Sequence, residues 1–264
     1  MKNNYDIIEV NKEVATSFVE TFHYSPVMPK LTKHFLGFYL NQELKGILTL
    51  GWGTQPLGTI RKLFPTLESK DYFEIGKMAM DEDMPRNSES QMISQAIKWM
   101  KVHLPERKFL YTMADGIMGK VGYVYQASNF YFGESFLTQS YMMPNGEKLH
   151  PRSAKQMLKE NCRFSNREKL CWMTKDFMKA KNIKLIEGLM FRYIYPLSKA
   201  SKKMMEKEST LNWSKNYPKD CDLKWYDKTT NPKIEIEAPA FTYDTMQYNP
   251  QAKSKSLSIS SYFS

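Results

Sequence analysis

A chain of 264 residues, 42% apolar and 14% aromatic, is long enough to bury a sizeable core as one elaborated domain or as one domain with a smaller companion. No apolar run approaches the ~18 residues that a membrane span needs, and Met1 to Asp6 is polar rather than signal-like. The three cysteines, Cys162, Cys171 and Cys221, form no CxxC pair, so a reducing, cytoplasmic setting is expected and a disulfide framework is not. The net charge of +10 is concentrated: residues 151–215 hold 16 Lys and Arg against 6 Asp and Glu, whereas the flanking stretches are neutral. A localised basic segment without a strongly apolar helix face points to nucleic acid before a membrane surface.

In chain order, Tyr5 to Val10 alternates like a strand, and Val14, Phe18, Val19 and Phe22 lie at helical spacing within Lys12 to Phe22. Pro26 and Pro29 impose an extended linker, and His34 to Leu40 with Gly46 to Trp52 reads as a β-hairpin. Tyr72 to Met80 is a strand interrupted by Glu74 and Lys77. Ser88 is placed to cap a helix from Glu89 to His103, whose apolar stripe is Met92, Ile93, Ala96, Ile97 and Met100, and Pro105 ends it. Phe109 to Met113 is a short buried strand, Gly119 to Ser128 a glycine-weakened helix, and Phe130 to Met143 a strand closed by Pro144-Asn145-Gly146. Ala154 to Glu160 and Arg167 to Lys181 read as basic helices, followed by a strand from Leu189 to Tyr195.

This order predicts a mixed α/β domain over residues 1–150 and a basic, mainly helical nucleic-acid-binding extension over 151–241. A polar tail over 242–264 is expected to be disordered.

Two segments resemble the GNAT acetyltransferase superfamily. Glu74 to Ser88 is similar to the strand, Arg-containing turn and helix that cradle a coenzyme A pyrophosphate, and a helix N-terminus offers free N–H groups and a positive dipole to such an anion. Tyr123 to Phe130 resembles the family's tyrosine-bearing helix, with Tyr125 five residues before Phe130. The resemblance implies an acetyl-CoA or related acyl donor held by Met80, Arg86, Asn87, Ser88 and Ser90, and Tyr125 as proton donor to the leaving group. The turn Arg86 to Ser90 has no glycine, which leaves room for another donor such as aminoacyl-tRNA. Ser88 and Glu89 also fit a plain helix cap.

A narrower resemblance, over about the first 150 residues, is to the Mom family of phage DNA modification proteins. It rests on His23 to Lys30, on Ala114-Asp115-Gly116, and on Gly119, Gly122 and Tyr125 to Phe130. It implies modification of the adenine N6 amino group of phage DNA, protection from restriction, a cytoplasmic location in the infected host, and an active site containing Tyr24, Asp115 and Ser128. It also links the family to iron, although His23, His34, His103 and His150 show no metal-ligand spacing and the metal stays unknown. Asp115 equally suits a turn, Tyr24 a backbone cap, and Tyr125 a core position.

Double-stranded DNA is therefore the expected partner, with Lys30, Lys33, Arg192, Lys199, Lys202 and Lys203 on phosphates. Ile259, Tyr262 and Phe263 resemble a sliding-clamp-binding peptide. Two rival functions stand beside this one: a GNAT acyltransferase acting on a protein, small amine or RNA-linked substrate, and a non-catalytic nucleic-acid-binding protein on the same scaffold.

Overall fold

The computed structural model describes residues 5–23, 25, 27–151, 154 and 173–242. Tyr24, most of the expected basic helices and the tail with Ile259, Tyr262 and Phe263 lie outside the described residues. The expected opening is observed. Strand β1 (Asp6–Glu9) leads to helix α1 (Lys12–Phe22), capped by the Asn11 side chain accepting from the Val14 amide. The hairpin β2 (Leu31–Leu40) and β3 (Glu43–Trp52) turns through Asn41 and Gln42, both at positive φ (52° and 68°), the geometry that matches strand twist in a two-residue loop.

Helix α2 (Pro56–Leu63) was not expected from the pattern. Its proline stands at the first turn, where a missing N–H costs nothing, and only Ile60 and Leu63 are buried, too few to show a period. Strand β4 (Tyr72–Met80) and helix α3 (Ser88–His103) follow, with all five residues of the expected stripe buried. Ser88 is the first helical residue rather than the cap. The cap is Asn87, at φ 72°, because the Ser88 amide bonds back to the Pro85 carbonyl and the chain must reverse one residue earlier.

Strand β5 (Phe109–Asp115) ends in a 3-10 turn, Gly116–Met118. The helix expected from Gly119 is shortened to α4 (Tyr123–Ala127), since Gly119 and Gly122 take φ of 69° and 89°, outside the right-handed helical region. Strands β6 (Tyr131–Met142) and β7 (Lys148–Leu149), helix α5 (Lys175–Ala180), strand β8 (Lys184–Pro196) and helix α6 (Lys199–Glu208) come next. A small hairpin, β9 (Trp225–Asp227) and β10 (Ile234–Ile236), completes the order.

The strands form one mixed sheet in the order β1-β2-β3-β4-β5-β8-β6-β7, with β9 and β10 added on β8. Every neighbouring pair is antiparallel except β4 with β5. The boundary expected at residue 150 does not divide this sheet. Strand β8 lies between β5 and β6 and pairs with both, so the basic region contributes a central strand to the same core.

Strand alternation sends side chains to two faces. On one face α3 and α4 cover Leu48, Leu50, Phe73 and Leu110. On the other, α1 packs Ala15 and Val19 on Ile47 and Ala79, while α2 and α6 pack Ile60, Phe64 and Met205 on Tyr72, Phe109 and Ile194.

The β9–β10 hairpin is fastened by a buried carboxylate. Glu187 of β8 accepts from Lys228 at 2.7 Å, Lys233 at 2.6 Å and Gln139 at 3.3 Å. Burial alone would raise this carboxyl, but those hydrogen bonds and the Lys228 charge hold it down to about 2. The folded value lies below the unfolded value of ~4.3, so the stabilisation is complete above the unfolded value and is lost as pH falls toward the folded one. Urea unfolding followed from about pH 6 to about pH 2 is expected to show about 1–2 kcal/mol of acid-dependent loss, discounted for the half-exposed lysines, that Glu187→Gln lacks. An unaltered pH slope in that variant would show that the cluster does not fasten the hairpin.

Candidate active site

The site grows from a gap in the sheet. The parallel strands β4 and β5 pair only at Tyr72↔Phe109, Phe73↔Leu110 and Glu74↔Tyr111, after which β4 runs on to Met80 and β5 to Asp115 without pairing. In β4 the register to β3 jumps from Leu48↔Met78 to Leu50↔Ile75, which places a bulge at Gly76 and Lys77. The Thr49 hydroxyl fills the bulge by accepting from the Lys77 amide at 2.8 Å. The carboxyl ends of diverging parallel strands make a crevice, the usual place for a ligand on an open α/β sheet.

On the α3 face, α4 lies over this crevice. Tyr193 of β8 donates its hydroxyl to the Val121 carbonyl, and Gln126 donates to that hydroxyl at 3.1 Å and to the Pro218 carbonyl at 3.1 Å. These bonds fix the helix so that the Tyr125 ring packs 5.5 Å from Tyr193 and 5.6 Å from Phe130, with its hydroxyl hydrogen-bonded to Thr112 of β5. Burial pushes the Tyr125 phenol up, against a smaller opposing effect of Thr112, so it keeps its proton through the neutral range. Ser128, expected in the active site, stands at the end of α4. Its hydroxyl donates to the Val124 carbonyl at 2.8 Å and lies 3.5 Å from the Ser90 carbonyl, joining the end of α4 to the start of α3.

On the opposite face, Asp115 uses one oxygen to cap the Ile117 amide at 3.1 Å and the other to hold Lys148 of β7. Lys77 projects from the bulge and donates to the Ser25 carbonyl at 2.5 Å and the Ser25 hydroxyl at 3.0 Å. Burial first, and then the Lys148 charge, lower its ammonium to about 8. His23 accepts from the Ser25 amide at 2.9 Å, and burial followed by the Lys77 charge lowers it to about 3, so it is neutral at pH 7. The residues flanking Tyr24 therefore stand on this face.

Deeper in the crevice, Glu74 accepts from the Tyr72 hydroxyl at 3.0 Å and from the Gly53 amide, with its carboxyl raised by burial. Tyr111, across the last register pair, hydrogen-bonds Arg192 and is raised to about 12, chiefly by burial. The Arg192 guanidinium lies 4.2 Å over the Phe136 ring, so this expected phosphate ligand is drawn onto the sheet as a flat cationic shelf.

The other expected residues are distributed around this centre. Met80 ends β4, and Arg86 and Asn87 are exposed in the turn beyond it. Asn87 supplies the left-handed turn that a glycine usually supplies. Ser88 is buried with its amide already donating to the Pro85 carbonyl, and Ser90 turns its hydroxyl onto the Asn87 carbonyl, so of the two it is Ser90 that would offer a ligand its backbone amide. These features fit the pyrophosphate of a coenzyme at the first turn of α3.

Lys30 and Lys33 are exposed, Lys33 lying 5.9 Å over Trp52. Lys199, Lys202 and Lys203 are exposed on α6, at the far end of β5 and β8 from Asp115, a separation of about 20 Å at the usual rise per strand residue. Among the described residues no three His, Cys, Asp or Glu side chains gather to hold a metal. Lys77, Lys148, Thr112 and Glu74 were not among the expected site residues. The signal for two of them was visible, since Glu74 and Lys77 interrupt an otherwise apolar strand.

The sequence profile of the Mom protein family matches residues 4–219. Over 137 aligned residues the chain is 34% identical to the methylcarbamoylase mom of Escherichia phage Mu, covering 52% of this chain and 56% of the phage protein. The chain thus spans just over half the length of that curated relative. Among solved structures, an N-acetyltransferase from Staphylococcus aureus Mu50 aligns with a TM-score of 0.38 at 13% identity, over 74% of this chain and 100% of that one. A tandem GNAT protein from the clavulanic acid biosynthesis pathway aligns with a TM-score of 0.36 at 8% identity, over 92% of this chain and 83% of its own.

The placement of α4 depends on Gly122, whose φ is positive and at which a Cβ would stand 2.6 Å from the Tyr193 ring and 3.1 Å from the Ala114 methyl. Gly122→Ala is expected to cost about 2–3 kcal/mol in urea unfolding and to alter the near-ultraviolet tyrosine dichroism. A loss under about 0.5 kcal/mol would mean that α4 adapts freely.

Proposed function

The chain belongs to the Mom protein family, and from that premise we propose that it is a transferase that modifies DNA at the exocyclic N6 amino group of adenine, protecting that DNA from restriction. The observation that carries the reading is the two-sided crevice: a proton-bearing phenol, Tyr125, on the α3 face, and the Asp115, Lys148 and Lys77 group on the other. Group transfer to an amine needs both sides. One must orient the nucleophile, and the other must give the leaving group a proton.

Adenine N6 is a weak nucleophile because its lone pair is delocalised into the ring, so positioning has to supply much of the rate. Asp115, already fixed by Lys148 and the Ile117 amide, would accept a hydrogen bond from N6 and aim its lone pair into the gap between β4 and β5. The base must first leave the duplex stack. The Arg192–Phe136 shelf on the same face offers a flat cationic surface on which it can restack, offsetting part of that cost.

Tyr125 would protonate the leaving group from the other side. A coenzyme A thioester, when bound, would supply an activated carbon, and Met80, Arg86 and the backbone of Asn87 and Ser90 would hold it, with Ser88 shaping the turn through its bond to the Pro85 carbonyl. The name of the phage Mu relative makes a methylcarbamoyl group the first transferred group to look for.

Helix α6 rises on the same face as the shelf, since Met205 packs with Tyr111 and Ile194. A duplex lying along this face would meet the crevice at one end and Lys199, Lys202 and Lys203 at the other. Replacing two of these lysines with Ala is expected to lower the slope of log K against log salt for DNA binding by about two units. No change in slope would direct α6 elsewhere.

Nucleoside mass spectrometry of DNA from cells expressing the protein tests the reaction. A mass-shifted deoxyadenosine is expected, reduced about 10²-fold or more by Asp115→Asn or Tyr125→Phe with DNA affinity retained. Unmodified DNA from cells with the wild-type chain would overturn the reading, and full activity in either variant would return that residue to the scaffold.

A further inference from the structure

Among the described residues, the acceptor face of the crevice carries an unbalanced charge. Lys77 and Lys148 are near enough for the second to depress the first, yet the carboxylate present, Asp115, is taken by Lys148. The Lys77 ammonium meets a carbonyl and a hydroxyl of Ser25, which satisfy two of its three donors and neutralise nothing. His23, beside it, is neutral. Four other lysines at the sheet, Lys45, Lys108, Lys228 and Lys233, each face a carboxylate within 3.0 Å.

A buried ammonium without a counter-charge is costly unless a ligand completes it. The cost is also retained here, because a group that titrates near 8 is mostly protonated at neutral pH. Two cations, one anion and one free N–H make a receptor for a singly charged oxygen anion. Its surroundings favour one source. It opens on the same face as the Arg192–Phe136 shelf and the α6 lysines, and a DNA chain carries one negative phosphate for each nucleotide.

We propose that Lys77 and Lys148 form an anion site that holds a phosphate of the very nucleotide whose base is modified. This rests on the DNA reading above. The pair would act as a fixed point from which the sugar and base reach the shelf, so an adenine nucleotide would be recognised in preference to a free nucleoside. The step is binding alone and no bond is made or broken.

Thermal unfolding of the full chain with added ligands tests it, since a ligand that binds the folded state raises the midpoint in proportion to its affinity. Deoxyadenosine monophosphate is expected to raise the wild-type Tm well above any effect of deoxyadenosine at equal concentration. In Lys77→Met that advantage is expected to vanish, with the loss of the two Ser25 hydrogen bonds opposing the removal of an unbalanced charge in the unliganded melt. Lys148→Met should reduce the advantage about tenfold in apparent affinity and serves if Lys77→Met does not fold. Equal responses to nucleotide and nucleoside, no response at millimolar nucleotide, or an undiminished response in both variants would overturn the site. A coenzyme A response that depends on Lys77 when the nucleotide response does not would assign the anion to the donor and overturn it as well. Nucleoside mass spectrometry separates the two ideas: modified DNA without a nucleotide advantage removes the anion site alone, and unmodified DNA with a Lys77-dependent advantage removes the proposed reaction alone.

Discussion

Three residue pairs, ending at Glu74↔Tyr111, join the two halves of this sheet in parallel, and everything proposed for the crevice depends on the pairing stopping there. Each strand remains fully used on its outer side, β4 by β3 and β5 by β8, so the divergence leaves no strand unsupported. The bulge at Gly76–Lys77 bends β4 away, and Thr49 replaces the ladder bond lost at that point. A regular sheet would have closed the gap with backbone hydrogen bonds. Beyond Glu74↔Tyr111 the inner edges of β4 and β5 instead share no ladder hydrogen bonds.

The faces of the crevice differ in charge because different elements reach them. On one, a short helix held by Tyr193 and Gln126 presents a phenol in an apolar setting of aromatic rings. On the other, a bulge, a strand end and a two-residue strand bring Lys77, Asp115 and Lys148 together from places 71 residues apart at most. Low local dielectric strengthens each interaction there and makes an imbalance of charge more consequential. Fold stability and site chemistry meet at Asp115, whose carboxylate both caps a turn and anchors a lysine.

Much of the scaffold was readable from local pattern. The α3 stripe, the hairpin, the closing turn at Gly146 and the alternation of β6 each follow from spacing within a few residues, which local sterics and amphipathicity enforce. Misreadings arose where conformation is set by distant contacts. Gly122 is left-handed because α4 must settle against Tyr193, 71 residues on, and nothing in the sequence of β8 itself says that it inserts between β5 and β6.

By itself the sequence determined the main element types up to β6, α2 excepted, together with the localisation of positive charge and the candidate status of Asp115 and Tyr125 through short motifs. It also displayed Glu74 and Lys77 as polar breaks in an apolar strand, without showing what they face. The tertiary structure decided that Ser128 spends its hydroxyl on backbone, that Arg192 stacks on Phe136, and that Lys148 claims Asp115 while, among the described residues, Lys77 meets Ser25 rather than a carboxylate. The physical reason is range. Helix and strand preferences act between neighbours in the chain, whereas burial, charge pairing and the divergence of two strands exist only once remote segments share a place.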